Sequence, residues 1–206
     1  MTWRGVAWDI DGTLVDSEPL HHRVLLEVCL DHSLDLRADP AERFLGVHMD
    51  DVWLALAPQL PGVPREAWMA QIQDNYCARV ARDVAPMPRA AETVRALFAA
   101  GVPQVAVSNS GRRVVEANLG ALGVREQMKG VVSLDDVTRG KPAPEPYLRG
   151  AALLGLRPEH VLVVEDSATG AASGQAAGMQ VAFLGDPPGG ARGIAGLPDV
   201  AAMMGL

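Results

Sequence analysis

Asp9 and Asp11 close the short apolar run Val6–Trp8 and are followed at once by Gly12 and Thr13. On a strand, residues two apart share a face, so the two carboxylates are expected to project from one side and repel each other. A metal dication and the phosphoryl group of a substrate would offset that repulsion. Other apolar runs also end in polar residues. Ser108 and Asn109 follow VPQVAV, Glu165 and Asp166 follow VLVV, and Lys141 lies in the intervening loop GKPAPEP. In an open parallel sheet ligands bind outside the carboxyl ends of the strands, so these distant residues are expected to converge on one crevice.

Four acids, an amine and a hydroxyl suit phosphoryl transfer, which demands positioning and charge stabilisation. An aspartate can attack phosphorus directly and form an aspartyl-phosphate, dividing one hard hydrolysis into two displacements. Mg²⁺ on carboxylate oxygens would let two anions approach, and Lys141 would add a fixed positive charge. The Ser108 hydroxyl and nearby backbone N–H groups could hold phosphate oxygens. Asp11 could protonate the leaving alcohol and then deprotonate the attacking water. Gly12 would permit a sharp turn, and Thr13 could fix it by bonding backbone groups.

The elements that must position these groups read as α/β. Gly5–Trp8 suits a buried strand. From about Leu20 to Arg82, apolar residues recur at three and four, as at Val24, Leu25, Val28 and Cys29, which marks amphipathic helices. Pro64 starts the last of them, and Pro86 and Pro88 punctuate the end. After Pro88 helix and strand alternate, which implies a doubly wound, Rossmann-like parallel sheet with helices on both faces. Residues 1–15 and 86–206 are therefore expected to form one core, with 16–85 inserted as a helical cap on two crossings that permit a hinged lid. The Gly-rich GDPPGGARG lacks the Lys-Ser/Thr ending of a phosphate loop and reads as exposed loop.

Composition narrows the classes. An apolar fraction of 49% excludes a mostly disordered chain. A net charge of -7 and 4% aromatic residues argue against a nucleic-acid surface. No apolar run approaches the roughly 20 residues of a membrane span, and the first residues lack a signal-peptide core, so a cytoplasmic protein is expected. Cys29 and Cys77 suit reduced thiols. His21 and His22 are adjacent, so on a helix they point about 100° apart and cannot readily chelate one ion.

Together the motifs carry a family resemblance. DIDGTLVDSEP resembles the first motif of haloacid dehalogenase superfamily phosphatases, and VAVSNS, RGKPAPEPY and VLVVEDSATG resemble the second, third and fourth in order, over nearly the whole chain. The insert resembles the α-helical cap of β-phosphoglucomutase-like enzymes and phosphoglycolate phosphatases. The resemblance implies Asp9 as nucleophile, Asp11 as acid and base, Ser108 with Asn109 on the phosphate, and Lys141 stabilising it. It implies Mg²⁺ on Asp9, Asp166 and the Asp11 carbonyl, with Glu165 a ligand or an orienter. Gly46 and His48 fall in the cap loop with which family members contact substrate.

The expected activity is Mg²⁺-dependent hydrolysis of a small phosphorylated metabolite, with phosphoglycolate, hexose phosphates and nucleotides all open. A sugar phosphomutase is the alternative within the family. The β-phosphoglucomutase cap resembles GVSRED here, whereas Gly46 and Val47 are followed by His48 and Met49, so a cationic contact for a second phosphate is missing at that position, where Arg43 or another group could substitute. A phospho-accepting receiver domain is the alternative of another class. Its acceptor lies mid-chain, and no helical insert follows its first strand.

Overall fold

The computed structural model describes residues 3–40, 43, 44, 47 and 49–206 of the chain. Gly46 and His48, expected in the cap loop, lie outside the described residues. The chain divides into two compact units, Met1–Asp16 with Ala85–Leu206, and Ser17–Val84.

In chain order the elements are β1 (Gly5–Trp8), β2 (Val15–Asp16), α1 (Glu18–Asp31), α2 (Met49–Leu56), α3 (Arg65–Cys77), α4 (Val80–Asp83), β3 (Ala85–Pro86), α5 (Ala90–Ala99) and β4 (Gln104–Val107). There follow α6 (Arg112–Leu122), β5 (Gly130–Val132), α7 (Glu145–Leu154), β6 (Val161–Glu165), α8 (Ala168–Ala176), β7 (Gln180–Leu184), β8 (Arg192–Ile194) and α9 (Pro198–Met203).

The sheet of the first unit runs β5-β4-β1-β6-β7-β8, and each neighbouring pair is parallel. From β1 the chain winds outward through β4 to β5, then returns to the other side of β1 and winds outward again from β6. The order therefore reverses between β1 and β6, which is where doubly wound sheets open a crevice.

Alternation along the strands assigns the two faces. Ala7, Val105, Val107, Val132, Val163 and Val181 pack with Tyr147, Ala151 and Leu154 of α7 and Ala171 of α8 in one buried cluster. Side chains one position along point the other way. There Trp8 Nε1 donates to Gln104 Oε1 at 2.8 Å, and Gln104 Nε2 donates to the carbonyl of Val94 on α5 at 3.0 Å. A fully buried glutamine is tolerated because its amide is bonded at both ends.

The Gly-rich stretch is not all loop. Within it Arg192–Ile194 pairs in parallel with Ala182–Leu184. Three residues are too few to show a pattern, and with Arg192 and Gly193 exposed at the sheet edge only Ile194 is buried. The pairing, rather than an apolar run, makes the strand.

In the second unit α1 buries Leu20, Val24, Leu25, Val28 and Cys29, and α3 buries Trp68, Ile72 and Tyr76. His21 stacks on Tyr76 with ring centroids 4.1 Å apart, and Trp53 meets Trp68 at 5.3 Å. His21 thus serves the helix packing of this unit.

Candidate active site

Asp9 follows β1, Ser108 follows β4, and Glu165 ends β6. Asp9 and Glu165 continue the alternation of Ala7 and Val163, so both face the α7 side of the sheet. Lys141 reaches the same place from the loop before α7, where Asn109 grips its backbone. Asn109 Oδ1 accepts from Lys141 N at 2.8 Å and Nδ2 donates to Lys141 O at 3.1 Å.

The Lys141 ammonium is buried, and each of its three protons has an acceptor: Asp9 Oδ1 at 2.6 Å, Glu165 Oε1 at 2.7 Å and the Val107 carbonyl at 2.9 Å. The Tyr147 ring lies 4.9 Å from Nζ, within reach of a cation–π contact. Burial alone would lower the Lys141 pKa, but the charges of Asp9 and Glu165 overcome it and raise the group above its ordinary value.

Glu165 is fully buried and its acceptor capacity is filled. Oε1 takes the Lys141 ammonium and the Tyr147 hydroxyl at 2.7 Å, and Oε2 takes the Ser167 hydroxyl at 3.0 Å and N–H at 3.3 Å. A carboxylate offers about four lone-pair sites. These contacts suit Glu165 to orienting Lys141, while its carboxylate also lies in the acidic cluster with Asp9 and Asp166.

Asp166 differs. Thr13 Oγ1 donates to its Oδ1 at 3.1 Å, and the carboxyl lies over Gly12, where a Cβ would stand 2.1 Å from Oδ2. With φ at +83° as well, position 12 accepts only glycine without strain. Thr13 thus uses its N–H for the turn, on the carbonyl of Ile10 at 3.3 Å, and its hydroxyl for Asp166.

The Asp11 charge is among those that raise the Asp9 carboxyl, the repulsion expected from their spacing. The strand ends at Trp8, and the turn beyond it sends the two carboxylates to different partners. Asp11 Oδ2 accepts from Ser108 Oγ at 3.1 Å and Ser110 Oγ at 2.9 Å, and Oδ1 accepts from Asn118 Nδ2 at 3.1 Å.

Whether the site suits a metal follows from its acids. Carboxylate atoms of Asp9, Glu165 and Asp166 lie within 4.8 Å of one another. When ionised, these three carboxylates outnumber the Lys141 ammonium, and the Asp11 charge also acts on Asp9, so a bound cation would offset an acidic excess. Asp9 Oδ2 is buried without a hydrogen-bond partner. Such an atom costs free energy unless a donor or an ion meets it. Burial, then the charge of Glu165, raises the Asp9 carboxyl well above its usual range, with Lys141 opposing. The same two causes raise Asp166 to about 6, with the Thr13 hydroxyl opposing. Asp9 and Asp166 therefore fit a hard, oxygen-seeking dication.

Of the residues singled out from the sequence, Asp9 and Glu165 bond Lys141, Asp166 lies within 4.8 Å of both acids, and Asp11 bonds Ser108. Asn109, expected on a phosphate, has both ends of its amide on the Lys141 backbone. Sequence reasoning missed Ser110, Asn118, Tyr147 and Ser167. Asn118 had a signal, since it interrupts the apolar stripe Val114, Val115, Leu119 and Leu122 of α6. The Tyr147 hydroxyl had none, because a tyrosine in a helical stripe reads as core.

Similarity to known proteins agrees with this geometry. A match to the haloacid dehalogenase-like hydrolase family spans residues 3–178. Hexitol phosphatase A of Escherichia coli (strain K12) is 31% identical over 189 residues, covering 91% of this chain and 85% of that protein. Phosphoglycolate phosphatase of Shigella boydii serotype 4 is 31% identical over 199 residues, covering 85% and 78%. The structure of CbbY from Rhodobacter sphaeroides in complex with phosphate superposes over 100% of both chains with a TM-score of 0.87 at 22% identity, a likeness of fold. The chain belongs to the haloacid dehalogenase-like hydrolase family.

Proposed function

We propose that the protein is a Mg²⁺-dependent phosphatase that hydrolyses a small phosphomonoester, a sugar phosphate or similar metabolite, through an aspartyl-phosphate on Asp9. The observation that carries this reading is the Asp9 carboxylate, buried with Oδ1 on the Lys141 ammonium and Oδ2 without a partner. One oxygen is oriented and the other is open, as an attacking group or metal ligand requires.

In the first step a carboxylate oxygen of Asp9 attacks phosphorus, an O–P bond forms, and the ester P–O bond breaks. Asp11, as the acid, gives its proton to the leaving alcohol oxygen. In the second step Asp11, now the base, takes a proton from water. The water oxygen attacks phosphorus and the bond to Asp9 breaks, releasing phosphate. Asp9, Asp166 and the Asp11 carbonyl would hold Mg²⁺, which supplies the charge neutralisation that lets anion meet anion. Lys141, braced by Glu165 and Asn109, gives a fixed positive charge at Asp9. Ser108 binds a phosphate oxygen by turning its hydroxyl from Asp11.

Residues 1–15 and 86–206 carry the chemistry in this reading. The inserted 16–85 select the substrate, with Gly46 and His48 as contacts to its organic part. Names of relatives support the substrate class, since hexitol phosphates and phosphoglycolate are small phosphorylated metabolites. A cytoplasmic enzyme is consistent with the two free cysteines. Among the described residues no helix is long and apolar enough to cross a membrane.

The test is hydrolysis of p-nitrophenyl phosphate with and without Mg²⁺, followed by a panel of phosphorylated metabolites ranked by kcat/KM. Turnover should require the metal and vanish in Asp9→Asn, because an amide does not attack phosphorus. Near wild-type rates in that variant would refute the assignment of the nucleophile.

A further inference from the structure

We infer that Asn118, together with Ser110, is a positioning residue that holds the Asp11 carboxyl for leaving-group protonation. The inference rests on the phosphatase reading and adds to it a means of steering the acid.

Two independent observations carry it. The first is the set of contacts: Asn118 Nδ2 lies 3.1 Å from Asp11 Oδ1, and Ser110 Oγ lies 2.9 Å from Oδ2, so each oxygen has a donor from a different element. Ser108 also donates to Oδ2, at 3.1 Å, and is itself held by Ser110 N at 2.9 Å. If Ser108 turns to a phosphate, Ser110 and Asn118 still fix both oxygens and hence the plane of the carboxyl. The second observation is where Asn118 stands. It is fully buried in α6, in the stripe formed with Val114, Val115, Leu119 and Leu122, where an apolar side chain would serve packing at no desolvation cost. An amide there is explained by what it bonds, and one of those partners is the proposed acid.

The proton passes from the Asp11 carboxyl to the oxygen that leaves phosphorus as the bond to Asp9 forms. Its benefit grows with the basicity of that oxygen. A residue that aims Asp11 should therefore matter most for poor leaving groups, whereas one that only supports the fold should affect all esters alike. The parameter to read is kcat/KM. It covers the steps up to release of the alcohol and excludes the later hydrolysis of the aspartyl-phosphate.

The experiment compares p-nitrophenyl, phenyl and benzyl phosphate, similar in size and increasing in leaving-group basicity, in wild type, Asn118→Leu and Ser110→Ala with Mg²⁺. The benzyl to p-nitrophenyl ratio of kcat/KM should fall about ten-fold or more in Asn118→Leu, and by a smaller factor in Ser110→Ala. A ratio within two-fold of wild type in both variants would overturn the inference, whatever their absolute rates. Should Asn118→Leu fail to fold, the ratio in Ser110→Ala decides alone. A wild type that hydrolyses none of the three esters refutes the phosphatase reading itself. That outcome is distinct from an active wild type whose variants keep its ratio.

Discussion

Replacing Gly170 by alanine tests whether Glu165 is as immovable as its bonding implies. A Cβ on residue 170 would stand 1.7 Å from Glu165 Oε1, 2.0 Å from its Cδ and 2.2 Å from Oε2. Carbon contacts are favourable at about 3.5–4.0 Å, so the carboxylate must retreat by about 2 Å. The end of a flexible side chain would ordinarily yield at little cost. Here it is fully buried and accepts from Lys141, Tyr147 and both donors of Ser167, so retreat breaks the clamp on the ammonium. Disrupting a buried ion pair costs about 3–5 kcal/mol. Alanine in a helix returns about 1 kcal/mol over glycine. The net loss is about 2–4 kcal/mol, a fall of roughly 4–16 °C in Tm for a chain of this size. With Lys141 no longer fixed beside Asp9, kcat should drop by about 100-fold. Thermal melting by circular dichroism and Mg²⁺-dependent hydrolysis of p-nitrophenyl phosphate read the two effects. Gly120→Ala in α6 is the control, because a Cβ there meets nothing within 4 Å and should leave Tm unchanged or raise it. A Gly170→Ala protein that melts no lower than wild type and turns over within two-fold of it would refute the argument.

Three further outcomes follow from named contacts. Tyr147→Phe keeps the ring near Lys141 but removes the 2.7 Å hydrogen bond to Glu165, and should lower stability in a denaturant titration by about 1.5–3 kcal/mol; a change below about 0.5 kcal/mol would show the bond to be inert. Cys29 is buried, which pushes its thiol up to about 11 against a lesser opposing effect of Trp68, so only about one in a thousand is ionised at pH 8. It should resist a disulfide reagent in the native protein and react once the chain is denatured, and fast native labelling of Cys29 found by peptide mapping would contradict its burial. Burial alone would raise the Asp136 carboxyl, but Arg112 and the Ser133 hydroxyl and N–H bring it down from 3.8 to about 2. A depressed carboxyl stabilises the fold above its unfolded pKa, and that contribution is lost as pH falls through about 2. The Tm gap between wild type and Asp136→Asn should therefore be full at pH 5 and close toward pH 2, whereas a constant gap would mean that the carboxyl's charge is not what stabilises.

The alternation of buried strands with helices after Pro88 was legible because the central strands are mostly apolar, as VLVV of β6 and VAV of β4 are, in keeping with parallel strands covered on both faces. The edge strand Arg192–Ile194 was not, since a three-residue strand with one buried side chain carries no periodicity. Period two held as far as Trp8 and placed Asp9 on the α7 side. Beyond that residue the chain turns, with three N–H groups converging on the carbonyl of Ile10, and Asp11 bonds Ser108, Ser110 and Asn118. A spacing rule for strands does not reach the hydrogen-bond partners of residues in the turn.

A similar limit explains the parts played by Asn109 and Glu165. Strand-end position and residue type bring both to the crevice, and from sequence Asn109 looks like a phosphate contact and Glu165 like a metal ligand or an orienter. Contacts show them turned on Lys141: Asn109 holds its backbone, and Glu165, itself held by Tyr147 and Ser167, takes its ammonium. The reason is physical. A lysine buried beside an aspartate must bring all three protons to acceptors, and its long stem has many rotamers to exclude, so one buried charge needs several polar neighbours to fix it. Polar residues at a strand end are thus divided between those that touch the reacting atoms and those that hold the first group still. Only the partner of each oxygen and nitrogen, which no sequence pattern records, tells the two apart.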